Sequence, residues 1–172
     1  MDNFDLGILA ALEADGRQPF SAIAEQVSLS KTPCWARVQM LERSGAITGY
    51  RAVIDPSALG LKLTAFVEVQ VEFGRHGDFE HAVNAHPAVV ECYTTAGQAD
   101  YLLLVMTSDV ERLDSLLRDE LCHLPGVRRF STTVCLKRIK HDGALTRAAS
   151  LITAPSPTKP TDAKKEPRHA DH

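Results

Sequence analysis

Residues 63 to 73, Leu63-Thr64-Ala65-Phe66-Val67-Glu68-Val69-Gln70-Val71-Glu72-Phe73, alternate apolar and other residues along their whole length. A period of two sends successive side chains to opposite sides of a strand. Leu63, Ala65, Val67, Val69, Val71 and Phe73 therefore share one face, and Glu68, Gln70 and Glu72 share the other with Phe66. A strand with one apolar face requires a sheet beside it and a layer over that face, which restricts the second half of the chain to a few architectures.

The residues that follow supply both. Gly74 and Gly77 bracket a turn, and Asp78 is expected to cap a helix carrying Phe79, Ala82 and Val83 inward, stopped by His86-Pro87. Residues 89–95 and 101–107 read as two strands joined by the hairpin-sized loop Ala96-Gly97-Gln98-Ala99-Asp100. Ser108-Asp109-Val110-Glu111 has the form of a capping box, and Val110, Leu113, Leu117, Leu121 and Leu124 make a helical stripe behind it. Pro125-Gly126 ends that helix, and a last strand is expected over 127–140. Strand, helix, strand, strand, helix, strand is the ferredoxin-like βαββαβ order, with an antiparallel sheet and both helices on one face. The opposite face, with Phe66 among polar residues, invites a second subunit as its cover.

The first third is helical. Asp2 or Asn3 can cap a helix through Phe4, Ile8, Leu9 and Leu12, which Asp15-Gly16 stops. A second helix starts at Pro19-Phe20-Ser21 and carries Ile23 and Val27. After the short gap Ser28-Leu29, a third helix opens on Ser30-Lys31-Thr32-Pro33 and turns Cys34, Val38 and Leu41 to one side. Ser44-Gly45 ends it. Two helices separated by so short a turn have the form of a helix-turn-helix. Ile47, Tyr50, Val53 and Ile54 then read as one or two strands, a wing or connector, broken by Asp55-Pro56. The chain thus divides into a helix-turn-helix domain with wing or linker strand (1–55), a linker (56–62), an effector and oligomerisation domain (63–141) and a mobile tail (142–172).

Charge does not identify the helical domain as a DNA reader. The whole chain carries −3. Residues 1–55 hold five basic and seven acidic residues, whereas Ser30 to Arg51 sets Lys31, Arg37, Arg43 and Arg51 against Glu42 alone. A small positive patch results, which symmetry in a dimer would double. The tail's Lys159, Lys164, Lys165 and Arg168 are offset by Asp162, Glu166 and Asp171, so it reads as passive.

No apolar run approaches the roughly 18 residues of a membrane span, and the N-terminus lacks the order of a signal peptide, so a cytoplasmic protein with no membrane partner is expected. The scattered Cys34, Cys92, Cys122 and Cys135 fit buried thiols rather than a zinc site or disulfide framework. His76, His81 and His86, five apart, point away from one another on a helix and do not converge on a metal. No catalytic constellation is present, and no cofactor or metal is expected.

Three segments resemble the Lrp/AsnC (leucine-responsive, feast/famine) regulators: Asp5-Leu6-Gly7-Ile8-Leu9 with Asp15-Gly16-Arg17; the long run from Leu29-Ser30 through Thr32-Pro33-Cys34-Trp35, Arg37-Val38 and Leu41-Glu42 to Gly49-Tyr50; and Gly97 with Asp100-Tyr101-Leu102, followed by Leu124-Pro125-Gly126-Val127. The resemblance spans roughly residues 2 to 140. It implies an α+β chain: an N-terminal winged helix-turn-helix domain and a C-terminal domain of the RAM type. It also implies a homodimer that assembles to a tetramer, octamer or larger, and an amino-acid effector bound where the effector domains of two dimers meet. This chain departs from the family pattern at Gln98, where many members carry Asp, at Gln39-Met40, where basic residues are frequent, and at Ser28, where glycine is common.

Two candidate sites follow. For double-stranded promoter or operator DNA they are Ser30, Lys31, Thr32, Pro33, Trp35, Arg37, Gln39 and Arg43, with Arg37 and Lys31 suited to phosphates and Thr32, Gln39 or Arg37 to base edges. Trp35 fits equally a place in the small core and one against the sugar-phosphate backbone. For the effector they are Thr95, Gly97, Gln98, Asp100, Tyr101, Thr132 and Thr133, with Asp100 receiving an α-ammonium and loop N–H groups around Gly97 holding a carboxylate. From the residues alone, a turn whose Asp100 caps its own backbone is the better reading, and it is the resemblance that favours the ligand. The expected function is a sequence-specific DNA-binding transcriptional regulator whose assembly or DNA affinity responds to a small effector, and not an enzyme. The rival is an amino-acid-sensing α/β regulatory subunit whose helical half binds a protein partner.

Overall fold

The computed structural model describes residues 1–141 and 143–153. It divides into two compact units, one of residues 1–51 with residues 143–153, the other of residues 52–141.

In the first unit, α1 spans Asn3–Ala14, α2 Phe20–Gln26 and α3 Lys31–Arg43. Asp2 and Asp5 form a reciprocal capping box at the start of α1: the Asp5 N–H donates to Asp2 Oδ1 and the Asp2 N–H to Asp5 Oδ2, each at 2.9 Å. Ile8, Ala11, Ile23, Ala24, Cys34, Val38 and Leu41 make the core, so the stripe expected on α3 is the one buried. Burial also pushes the Cys34 thiol above its ordinary range, as suits an inert core cysteine. Ser28, in the turn before α3, has φ 56, the sole left-handed non-glycine backbone among the described residues. Glycine adopts that conformation without a Cβ penalty, which gives a physical reason for a glycine there. Gly45 has φ 76 and supplies the left-handed residue after α3.

Residues 46–54 do not form the expected wing. The backbone there belongs to no strand, and Val53 and Ile54 are 87% and 61% exposed. An extended segment becomes a strand only where a neighbour accepts its ladder, and no described residue does so. The expected tail also differs. Leu145–Thr153 is a helix, α6, and belongs with the first unit. The expectation for residues 154–172, including their lysines and carboxylates, lies outside the described residues.

The second unit opens with a single 3₁₀ turn, Pro56–Leu59, capped by Asp55. Its four antiparallel strands are β1 (Leu63–Val71), β2 (Val89–Thr94), β3 (Tyr101–Thr107) and β4 (Val127–Cys135), in the spatial order β2-β3-β1-β4. Helix α4 (His76–Asn84) and helix α5 (Val110–Ser115) are the two crossovers. Val67, Val69, Leu103 and Val105 from the strands pack with Phe79 and Val83 of α4 and Leu113 of α5. Each such burial contributes roughly 1.5–3 kcal/mol.

Four boundaries shift. α4 starts at His76, so Asp78 lies in its first turn rather than at its cap. β1 stops at Val71, and Phe73 is fully exposed, because the ladder with β4 slips at Gln70/Val71. Gly126 fills that slip: its carbonyl accepts from the Glu72 N–H at 2.8 Å, its φ is 77, and a Cβ there would lie 2.5 Å from Arg75 Cβ. α5 is capped by Asp109 rather than Ser108, and after Ser115 it widens into a π turn, Leu116–Glu120, then a 3₁₀ turn, Leu121–His123. Leu116, where the wider turn begins, is fully buried, whereas Val110 at the start of α5 is 62% exposed. β4 ends at Cys135, not at Lys140.

Candidate DNA-reading and effector sites

Helix α3 offers one exposed face. Thr32, Trp35, Ala36, Gln39, Met40 and Arg43 recur three or four residues apart on the side away from Cys34, Val38 and Leu41. Trp35 is 49% and Met40 57% exposed, so the tryptophan belongs to the surface rather than to the core. Ser30 stands at the N-cap without a side-chain capping bond, and Lys31, Thr32 and Pro33 are exposed in the first turn. Open first-turn N–H groups and a positive helix end suit a phosphate.

Arg37 departs from its expected role. Its Nη1 donates to Asp2 Oδ2 at 2.8 Å and to Asp5 Oδ1 at 2.7 Å, and its guanidinium lies 5.3 Å from the Phe4 ring centroid. Asp5 first and Asp2 second raise the Arg37 pKa, while the Asp5 backbone N–H, assisted by Arg37, holds the Asp2 carboxyl below the usual range. The arginine thus ties α3 to the N-terminus of α1, leaving Lys31 and Arg43 as the α3 cations without an ion pair among the described residues. Gln39 is likewise engaged: its Nε2 donates to Glu42 Oε2 at 2.8 Å, and the Tyr50 hydroxyl donates to the other oxygen of Glu42 at 3.0 Å.

The loop between β2 and β3 is held by its own residues. Asp100 Oδ2 accepts from the Val71 N–H at 2.8 Å, the Asp100 N–H donates to the Val69 carbonyl at 3.0 Å, and the Thr95 hydroxyl donates to the Ala99 carbonyl at 2.6 Å. Asp100 therefore pins the loop to β1. Gly97 and Gln98 are exposed at the loop tip, and Gln70 Nε2 donates to the Gln98 carbonyl at 2.5 Å.

Tyr101 lies on the helix side of the sheet, 2% exposed, with its ring 4.6 Å from that of Phe79 and its hydroxyl donating to Glu80 Oε1 at 2.7 Å. Burial, then the Glu80 carboxylate, pushes its phenol up to about 12. Thr132 pairs with buried Val67, and Thr133 with Phe66, so the two threonines face opposite sides of the sheet and cannot line one pocket. The hydroxyl oxygen of Thr132 is buried without a hydrogen-bond partner.

A cleft of about 150 Å³ does lie beside the loop, between Gln98 and Ala99 and the outer residues Glu68, Gln70, Arg129 and Ser131 of β1 and β4. No ion pair joins Glu68 to Arg129. A carboxylate and a guanidinium that line one cleft unpaired can take the ammonium and carboxylate of a zwitterion. Alternation already assigns Glu68 and Gln70 to that face. Arg129 and Ser131 join them only through the register that sets Arg129 opposite Gln70 and Ser131 opposite Glu68.

Comparisons with known proteins agree with both halves. Residues 1–42 match the AsnC-type helix-turn-helix domain, and residues 64–145 the Lrp/AsnC ligand binding domain. The chain is 40% identical over 146 residues to the proline dehydrogenase transcriptional activator of Rhizobium radiobacter, covering 83% of this chain and 94% of that protein. It is 36% identical over 148 residues to the leucine-responsive regulatory protein of Escherichia coli K12, covering 84% and 90%. Among solved structures, a transcriptional regulator of Neisseria meningitidis in complex with L-Met superposes with a TM-score of 0.79 at 32% identity, over 82% of this chain and 93% of that one. With the helix-turn-helix in the first unit, the four-stranded antiparallel sheet in the second, and these matches along both, the chain belongs to the Lrp/AsnC family of transcriptional regulators.

Proposed function

We propose that this regulator reads DNA with the exposed face of α3 and responds to an amino acid bound in the cleft beside the loop at 96–100. The observation that carries the first half is the face itself: Thr32, Trp35, Ala36 and Met40 stand exposed toward bases, and Lys31 and Arg43, free of ion pairs among the described residues, toward phosphates. Two free cations per α3 is a modest number, so affinity rests on two or more copies binding together. Replacing both Lys31 and Arg43 by alanine is expected to weaken operator binding by about tenfold or more and to flatten its salt dependence. Unchanged affinity with the dimer intact would sink this reading and restore the rival in which the helical half docks a protein.

The unpaired Glu68 and Arg129 support an amino acid as effector, and the L-Met carried by the Neisseria meningitidis relative makes that class the first to screen. The cleft is smaller than the roughly 300–1,000 Å³ that encloses a ligand, in keeping with a site that a second copy of the chain completes. The half-exposed Phe66 and Tyr93 on the outer sheet face give that copy a surface to cover. Homodimers, and larger assemblies built from them, follow from this reading, as does work in the cytoplasm where the operator is. Coupling between effector and DNA of about 1–3 kcal/mol would make a graded switch rather than full release. A thermal-shift screen of the common amino acids, repeated on Glu68→Gln and Arg129→Gln, tests it. A ligand that shifts all three proteins equally would remove the cleft from consideration.

A further inference from the structure

Helix α6 lies at and beyond the end of the family match, which stops at residue 145, yet it is built onto the DNA-reading unit. Its N-terminus is held by Glu13 of α1. The Glu13 carboxylate accepts the Thr146 N–H at 3.1 Å, and also the Leu145 N–H and the Thr146 hydroxyl. Thr146, Ala149 and Ser150 border a groove against Leu6, Gly7 and Ala10 of α1.

Two features make Glu13 the clamp. A carboxylate in the last turn of α1 opposes the dipole of its own helix, whereas at the first turn of α6 it complements one. Burial, by contrast, contributes little: Leu145, Leu151 and Ile152 are 77%, 79% and 87% exposed. The bonds to Glu13 are therefore the contacts that fix the start of α6 against α1.

The chain path gives the attachment a consequence. The two units are joined once through the segment leading from Arg51 to β1 and a second time through residues 136–144, which lead from the end of β4 to α6. Nine extended residues span about 30 Å at most. We propose that α6 is an intramolecular brace, docked on α1 through Glu13, which ties the DNA-reading unit to the effector unit a second time and thereby narrows the range of half-site spacings the regulator accepts. This builds on the reading of α3 as the DNA-contacting helix.

The test uses the full chain, Glu13→Ala, and a chain ending at Gly143. Amide exchange is measured over residues 145–153, together with affinity for an operator selected from random DNA and for the same operator lengthened by about five base pairs, half a helical turn. In the wild type the α6 amides are protected and the selected operator binds at least about tenfold tighter than the lengthened one. Glu13→Ala loses that protection by about tenfold, and in both variants the affinity ratio falls by about threefold or more. Retained protection in Glu13→Ala would overturn the clamp. An affinity ratio that stays at the wild-type value in full-length Glu13→Ala once the α6 protection is lost, or in the chain ending at Gly143 with its unfolding midpoint unchanged, would overturn the brace. Absence of any DNA binding by the wild type would count against the reading of α3 instead, while exchange still decides the clamp.

Discussion

The two units carry their sites in different ways. In the helix-turn-helix unit the candidate site is one face of one helix, so residues three or four apart in sequence are neighbours in space, and Thr32, Gln39 and Arg43 share a surface because α3 is a helix. In the sheet unit the candidate site is drawn from β1, β4 and a loop. Glu68, Gln98 and Arg129 meet only because the strands pair as they do. Local periodicity is enough for the first and insufficient for the second. Both units rest on buried apolar side chains, and the helical unit adds an ion-paired arginine that joins α1 to α3.

Substitutions can break this contrast at several points. Phe79→Ala should have the largest effect, because Phe79 is fully buried and packed on Tyr101. A loss of about 3–5 kcal/mol is expected, read by denaturant unfolding of the effector unit. A loss below about 1 kcal/mol would show that the sheet unit does not depend on its core as described.

Arg37→Ala comes next. Removing the guanidinium leaves the buried Asp5 without its partner, so the helical unit should unfold several degrees lower, with DNA binding lost as a consequence of the displaced α3. Were the thermal midpoint unchanged while binding fell, Arg37 would be a DNA contact after all. Acid reports on the same contacts. The folded Asp2 pKa lies below its ordinary 3.8, so its contribution is present above that value and disappears as pH falls through the lowered one. Glu13 behaves likewise, held below its ordinary 4.5 first by the Thr146 hydroxyl, so α6 should stay docked at neutral pH and release only in stronger acid.

Asp100 separates scaffold from ligand contact. Asp100→Ala removes the acceptor of the Val71 N–H and should cost about 1–2 kcal/mol along with the effector response. Asp100→Asn keeps an acceptor and loses the charge. Retention of the response in the asparagine variant is expected from the pinning role, and its loss would return Asp100 to the effector's ammonium.

The smallest effect belongs to Ser28→Gly, which relieves a left-handed backbone. A gain of about 0.5–1 kcal/mol is expected in thermal unfolding, since glycine also costs more entropy on folding. A loss would mean that Ser28 contributes more than its backbone shape.

Much of this was legible beforehand. The alternation at 63–71, the stripe Cys34, Val38 and Leu41, and the strand and helix order all follow from side-chain period, which is a property of consecutive residues. The partners of charged groups were not legible in the same way. Arg37 could have faced a phosphate by its position on α3, and only the packing of α1 against α3 sets it on Asp2 and Asp5. Tyr101 and Asp100 are adjacent in sequence, yet one enters the core and the other holds the loop. Thr132 and Thr133, grouped as one lining, are separated by the pleat.

By itself, then, the sequence determined the two units, the helix-turn-helix and the βαββαβ order, because hydrophobic period and turn residues act over a few neighbours, and its three motif segments carried the resemblance to the family. The tertiary structure alone decided that Arg37 is committed within the fold, that residues 46–54 have no strand partner, that Arg129 joins Glu68 at the cleft, and that α6 returns to α1. Each of these depends on a residue far away in the chain, and long-range pairing is what a local pattern does not encode.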